Sequence, residues 1–154
     1  MTLRSTATHT IRIAAPVDRC QHFFTPIGEE AWVDGWKPSY IVPADGRTEP
    51  GMVFTTGSGD ELTIWTLIDF DTTLRRALYS RVTPATRCAL VEVRCTSTDG
   101  GRATDVQVSY TVTALTPGGV PTLAAYEGDA FIKMIEGWRE AIEARLPQLL
   151  AEPD

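Results

Sequence analysis

Residues 130–142 read AFIKMIEGWREAI. Phe131, Met134, Ile135, Trp138, Ala141 and Ile142 recur there at i, i+3 and i+4, and Leu149 continues the stripe. That period places them on one face of an α-helix. Lys133, Glu136, Arg139, Glu140 and Glu143 fall mainly on the other faces. The pattern predicts a helix from about residue 121 to about residue 150, roughly 40 Å or more if unbroken. Gly128 and Gly137 each cost it roughly 1 kcal/mol relative to alanine. Either marks a bend, or a place where the sheet or a ligand comes close.

A helix with this stripe has to bury it, and what precedes it reads as sheet. Residues 6–14 alternate, with Ile11, Ile13 and His9 on one side and Arg12 on the other. Pro16 opens a short helix over residues 16–24, where Val17, Cys20 and Phe24 keep helical spacing. Thr25 caps a second short helix, with Pro26 in its first turn, Glu29 and Glu30 favouring its N-terminal end, and Gly35 ending it. Residues 39–43 are a short strand with prolines near both ends, which suits a sheet edge. Residues 52–56, 61–70, 74–83, 88–96 and 103–115 complete the strands. Gly57-Ser58-Gly59-Asp60 and Asp99-Gly100-Gly101 are hairpin turns. Short turns force antiparallel neighbours. The expected fold is α+β, a seven-stranded curved antiparallel sheet around a long C-terminal helix, with two short helices after the first strand. A curled sheet gripping a helix leaves a space between them, and the short helices would cap one end of it.

The chain has 154 residues, the usual size of one domain, and residues 1–154 are read as a single domain with its core at about 6–150. A net charge of −6 argues against nucleic acid, whose binders carry a basic face, and weakly against an anionic membrane surface. No apolar run is long enough for a membrane span, and the first residues lack the apolar core of a signal peptide, so a cytoplasmic location is expected. Cys20, Cys88 and Cys95 are an odd set without a close pair, and they read as reduced thiols. With His9 and His22 they offer no metal-ligand spacing, so no metal and no cofactor are expected. Ser58 lies in G-S-G-D, which reads as a turn tip and not as a nucleophile elbow or phosphate cradle.

The order of elements, the opening IRIAAPVDRCQHFF, the segment PIGEEAWVDGW, the mid-chain LTIWTLIDFD and the closing AFIKMIEGWREAI resemble the START-like or SRPBCC superfamily. That group includes birch-pollen allergen-like and polyketide cyclase/dehydrase-like proteins. The resemblance covers residues from about 6 to 150. It implies the helix-grip fold and a deep cavity that receives lipids, polyketides or other apolar molecules. It leaves the activity open, because fold alone does not settle function.

Trp32 and Trp36 either line the mouth of such a cavity or pack the small helix on the sheet. Trp65 shares a strand face with Leu67 and Asp69, opposite Leu62, Ile64 and Ile68. Both faces are apolar, and Trp65 is expected inward because outward it would stand in water. Ala77, Tyr79 and Arg81 share a face against Leu78, Ser80 and Val82. Facing in, Arg81 would need an acid or an anionic ligand; facing out, it is a solvated arginine. Val106, Val108, Tyr110 and Val112 alternate with polar residues, so Tyr110 points inward with a hydroxyl that wants a partner. Tyr126 and Phe131, near the start of the long helix, are expected to touch ligand, and Leu146, Leu149 and Leu150 to seal the far end.

The candidate ligand site is therefore Trp36, Trp65, Tyr79, Arg81, Tyr110, Tyr126 and Phe131. The first reading is binding of a small apolar molecule of lipid, polyketide or aromatic type, by a monomer or homodimer. The second is a cyclase, dehydratase or hydrolase acting in the same cavity. It ranks lower because Arg81, Tyr79, Tyr110 and Asp69 are the only inward candidates, without a clear carboxylate or histidine base. The third is an interaction domain whose cavity is filled by its own side chains.

Overall fold

Alternation of apolar and polar residues builds seven strands, and in the computed structural model, which describes residues 3–151, they form one antiparallel sheet. The strands are β1 (Arg4–Ile13), β2 (Ser39–Val42), β3 (Val53–Thr56), β4 (Thr63–Asp71), β5 (Arg76–Thr83), β6 (Arg87–Thr98) and β7 (Ala103–Ala114). Their order is β1-β7-β6-β5-β4-β3-β2. From β2 onward sequence neighbours pair, through the loop of residues 43–52 between β2 and β3 and shorter connections after it, and β1 pairs with β7, with Ile11 opposite Val106. β2, the strand flanked by prolines, is an edge.

Between β1 and β2 lie α1 (Val17–Phe23) and α2 (Pro26–Glu29). The Thr25 hydroxyl accepts from the Gly28 amide at 3.0 Å, the expected cap. α2 is a single turn, followed by further turns up to Gly35, whose φ is +74°.

The concave face carries Phe54, Trp65, Leu67, Ala77, Tyr79, Val91, Val93, Val106, Val108 and Tyr110, all buried. The convex face keeps Ile64, Ile68 and Leu90 exposed. Trp65 is therefore inward as expected, and the face of Ala77 and Tyr79, which the sequence left open, is also the inner one. Asp69 corrects the expectation. A bulge between Leu67 and Asp69 adds one residue to β4, so Leu67 pairs with Tyr79 but Asp69 pairs with Leu78. The slip turns Asp69 to the outer face, where it forms an ion pair with Arg76, and brings Phe70 toward the core instead.

The long helix α3 runs from Gly128 to Ala151, 24 residues, or roughly 36 Å by the helical rise. It starts later than the periodicity suggests. Residues Pro117–Tyr126 are 3-10 turns containing Pro121, and Glu127 is extended with φ −126° and ψ 148°. Gly128, with φ +49°, marks the start of the helix and not a bend within it. Gly119 is wedged against β5–β6: a Cβ there would sit 1.9 Å from the Thr86 carbonyl oxygen. Gly137 has open space beside it, so neither sheet nor neighbour presses on it. Phe131, Ile135, Ile142 and Leu149 are buried, Leu149 beside α1 and α2, each worth roughly 1.5–3 kcal/mol of transfer free energy before entropy. Arg19 of α1 donates to the Leu149 and Leu150 carbonyls at 2.7 and 3.3 Å, tying down the end of α3. His9 of β1 lies 2.7 Å from Glu136, fixing the middle of α3 over the β1 edge.

Candidate functional site

The grip of sheet on helix leaves a cavity of about 170 Å³. β3, β4 and β5 supply Phe54, Trp65, Tyr79 and Arg81; β6 and β7 supply Val91, Val93 and Tyr110. α3 supplies Met134 and Trp138, and the segment after β1 supplies Phe24, Glu29, Val33 and Trp36.

The walls are a continuous set of aromatic contacts. Phe54 stacks on Trp65 with ring centroids 5.6 Å apart and planes 7° from parallel. Trp36 stands edge-on to both, at 6.0 and 5.8 Å, and Tyr79 stands edge-on to Trp65 at 6.1 Å. Trp138 meets Phe24 and Trp32 at 6.3 and 6.1 Å. Such geometries suit the ring quadrupoles and hold each side chain in place.

Most polar atoms of these walls are already committed. The Trp36 indole N–H donates to the Pro26 carbonyl at 2.8 Å, and that of Trp65 donates to the Thr56 hydroxyl at 3.0 Å. The Tyr79 hydroxyl donates to the Phe24 carbonyl at 2.9 Å. Burial, with the nearby Glu29 adding to it, raises Tyr79 well above the ordinary tyrosine value, so it stays a neutral strut between β5 and α1.

Three polar groups remain. Glu29 has no hydrogen-bond or ion-pair partner for its carboxyl among the described residues. Burial pushes that carboxyl up to about 8. Arg81 lies over the Trp65 ring at 4.6 Å and has no carboxylate partner among the described residues. Burial pushes the Tyr110 hydroxyl up to about 12, and the neighbouring Arg81 guanidinium works against that rise. A neutral carboxyl at pH 7 donates or accepts a proton, and an unpaired guanidinium holds an acceptor or an anion.

Of the seven residues singled out from the sequence, Trp36, Trp65, Tyr79, Arg81 and Tyr110 line the cavity. Tyr126 and Phe131 are not among the lining residues. Tyr126 ends the 3-10 segment and stacks on Tyr110 at 5.6 Å; Phe131 meets Tyr110 edge-on at the same distance. The late start of α3 leaves Tyr126 outside the helix, while Phe131 stands in its first turn and packs on Tyr110. The helix residues that reach the cavity are Met134 and Trp138, a turn or more further on. Trp32 is the packing tryptophan of its pair, 2% exposed, with its N–H on the Phe23 carbonyl at 2.8 Å. Leu149 is buried at the far end, with Leu146 and Leu150 packed against the core.

Glu29 is the residue that sequence reasoning missed. Its place in a first helical turn offered a sufficient reason for an acid there. The signal that could have found it is spacing: Glu29, Val33 and Trp36 stand at i, i+4 and i+7, and all three line the cavity. The expected shortage of an inward carboxylate is corrected by this residue.

No protein-family model matches the sequence, and no curated protein matches it. Solved structures do resemble the fold. Norcoclaurine synthase from Thalictrum flavum, in complex with dopamine and hydroxybenzaldehyde, is 13% identical with a TM-score of 0.63, over 92% of this chain and 87% of that one. The Zhui aromatase/cyclase from a Streptomyces species is 16% identical with a TM-score of 0.64, over 93% and 96%. Ara h 8.0201 is 12% identical with a TM-score of 0.65, over 97% and 99%. At these identities the likeness is one of fold: the chain has the helix-grip fold, as its sequence suggested.

Proposed function

We propose that the chain binds a small molecule with an apolar, ring-sized body and one polar end between the sheet and α3. The observation that carries this reading is an aromatic-walled cavity of about 170 Å³ lined also by Glu29, Arg81 and Tyr110, with no ion pair to Glu29 or Arg81 among the described residues. Ligand sites are mostly apolar with a few placed polar groups, which is this composition. An apolar cavity of about 150 Å³ is large enough for benzene. That scale favours a single ring over a lipid or a long polyketide. The norcoclaurine synthase structure, which holds single-ring compounds on the same fold, supports the same size class.

A second reading, catalysis in the same cavity, is favoured by Glu29. A carboxyl raised to about 8 by burial is poised to exchange a proton near neutral pH.

Native mass spectrometry of protein purified from its own host tests the binding reading. A retained molecule of one-ring size, lost when Trp138→Phe and Trp65→Leu reshape the walls, is expected. A bare protein that also fails to take up any added single-ring compound would end it. If turnover of the retained molecule is seen, Glu29→Gln should remove it while binding persists; undiminished turnover would end the catalytic reading.

A further inference from the structure

We propose that the ligand's polar end is a carboxylate, held by Arg81 at the cavity wall with Arg87 adding a second positive charge behind it. This inference rests on the binding reading above and names its ligand class, an aromatic acid.

The strand register brings the two arginines together. Arg81 on β5 faces Ala89 on β6, and Thr83 faces Arg87, so Arg81 and Arg87 are diagonal neighbours across one pair of strands. Thr83, Arg87 and Ala89 are all buried, which puts this face toward the interior. Diagonal neighbours on one face are within reach of long side chains. Both guanidinium carbons lie near the Tyr126 ring, at 6.0 and 5.7 Å from its centroid. Tyr126 in turn stacks on Tyr110, whose hydroxyl neighbours Arg81. A basic and phenolic cluster therefore runs from the cavity wall to the start of β6.

Its charge is not balanced from within. Most other arginines of the chain meet a carboxylate on the surface, as in Arg12–Asp105, Arg94–Glu92 and Arg139–Glu143. Arg81 meets none among the described residues. Among the described residues the carboxylate that meets Arg87 is Glu61, at 3.0 Å and 65% exposed; Tyr126 also stands beside Arg87, and the Arg87 Nε is buried without a hydrogen-bond partner. Glu29 lines the same cavity but forms no ion pair with Arg81. Arg81 therefore brings positive charge to an apolar space with no carboxylate paired to it among the described residues, and Arg87, paired with one exposed acid, adds to it from outside the lining, in a chain whose net charge is −6. Burying that charge is costly unless something pairs with it. The guanidinium fork matches a planar carboxylate, and the aromatic walls take the ring attached to it.

Benzoate and benzamide make the test, because they share shape and differ in charge. Isothermal titration of the wild-type protein with each, at pH 7 and low salt, should show benzoate binding about tenfold tighter or more, the difference expected of a charge-assisted contact. Arg81→Met should weaken benzoate more than benzamide and bring the two affinities within about twofold of each other. Arg87→Met should reduce it by a smaller factor, about two- to threefold, as expected of a second charge at greater range. Equal binding of the two compounds by the wild-type chain would overturn the carboxylate inference and leave the binding of apolar rings standing. Saturable binding of neither would overturn both. The wild-type comparison needs no variant to fold.

Discussion

Glu29 is a buried acid whose carboxyl has no hydrogen-bond or ion-pair partner among the described residues, and that has a measurable consequence for stability. An acid whose pKa is raised by folding keeps its proton in the folded chain after the unfolded chain has released it. Between the ordinary carboxylate range and about 8, the folded state therefore binds more protons, and stability falls as pH rises through that window. Glu29→Gln should flatten this slope. At pH 8 the variant should be the more stable by roughly 2–3 kcal/mol, less than the full shift implies because the carboxyl keeps some solvent access. At pH 4.5 the two chains should be alike. Urea unfolding at both pH values checks this, and parallel pH profiles would show that Glu29 is not desolvated. Tyr110 gives a second test at the same scale. Tyr110→Phe should weaken a polar-ended ligand several-fold and leave the melting temperature within a few degrees, since its ring contacts with Tyr126 and Phe131 remain. Unchanged affinity, read by titration, would remove its hydroxyl from the site. At this scale the sequence was only partly legible. Alternation alone identified Tyr110, because the polar face of β7 is polar throughout. It was silent on Arg81, because an arginine suits either face of a strand.

The element that positions Glu29 is α2, and it is held by very close packing. A Cβ on Gly28 would stand 1.9 Å from the His22 carbonyl oxygen and 2.9 Å from the Thr25 hydroxyl. Gly28→Ala must push α2 away from the end of α1 and carry Glu29 with it. The expected cost is about 2–4 kcal/mol, with loss of ligand affinity out of proportion to any change at the distant β1–β7 pair. Denaturant unfolding combined with amide exchange tests this; a variant of unchanged stability would mean that α2 is free to shift. Two elements resisted sequence reading for physical reasons. β4 carries Trp65 and Leu67 on its concave face but Ile64 and Ile68 on its convex face, so its period could not declare an inside. The bulge after Leu67, which turns Asp69 outward, leaves no mark in composition. The start of α3 was misplaced because residues 121–126 are as apolar as the helix that follows. Only the conformation of Glu127 and Gly128 separates the two.

For the whole molecule, turns did most of the specifying. Short connections, some with glycine and some without, set the antiparallel order, and one apolar stripe set the helix against it. Seven strands, two short helices and a long helix were legible from these features. The cavity was not, because its size depends on how far Trp36, Trp65 and Trp138 intrude, and volume is a property of packing and not of pattern. The central claim is that this space accepts a ring-sized molecule. A titration of isotope-labelled protein with benzene, followed by the indole N–H resonances, tests it most directly. Saturable shifts at Trp36 and Trp65, whose N–H groups hydrogen-bond at the cavity wall, and at Trp138 are expected, with Trp32 moving less. Non-saturating shifts, or shifts confined to the exposed convex face around Ile64, Ile68 and Leu90, would contradict it.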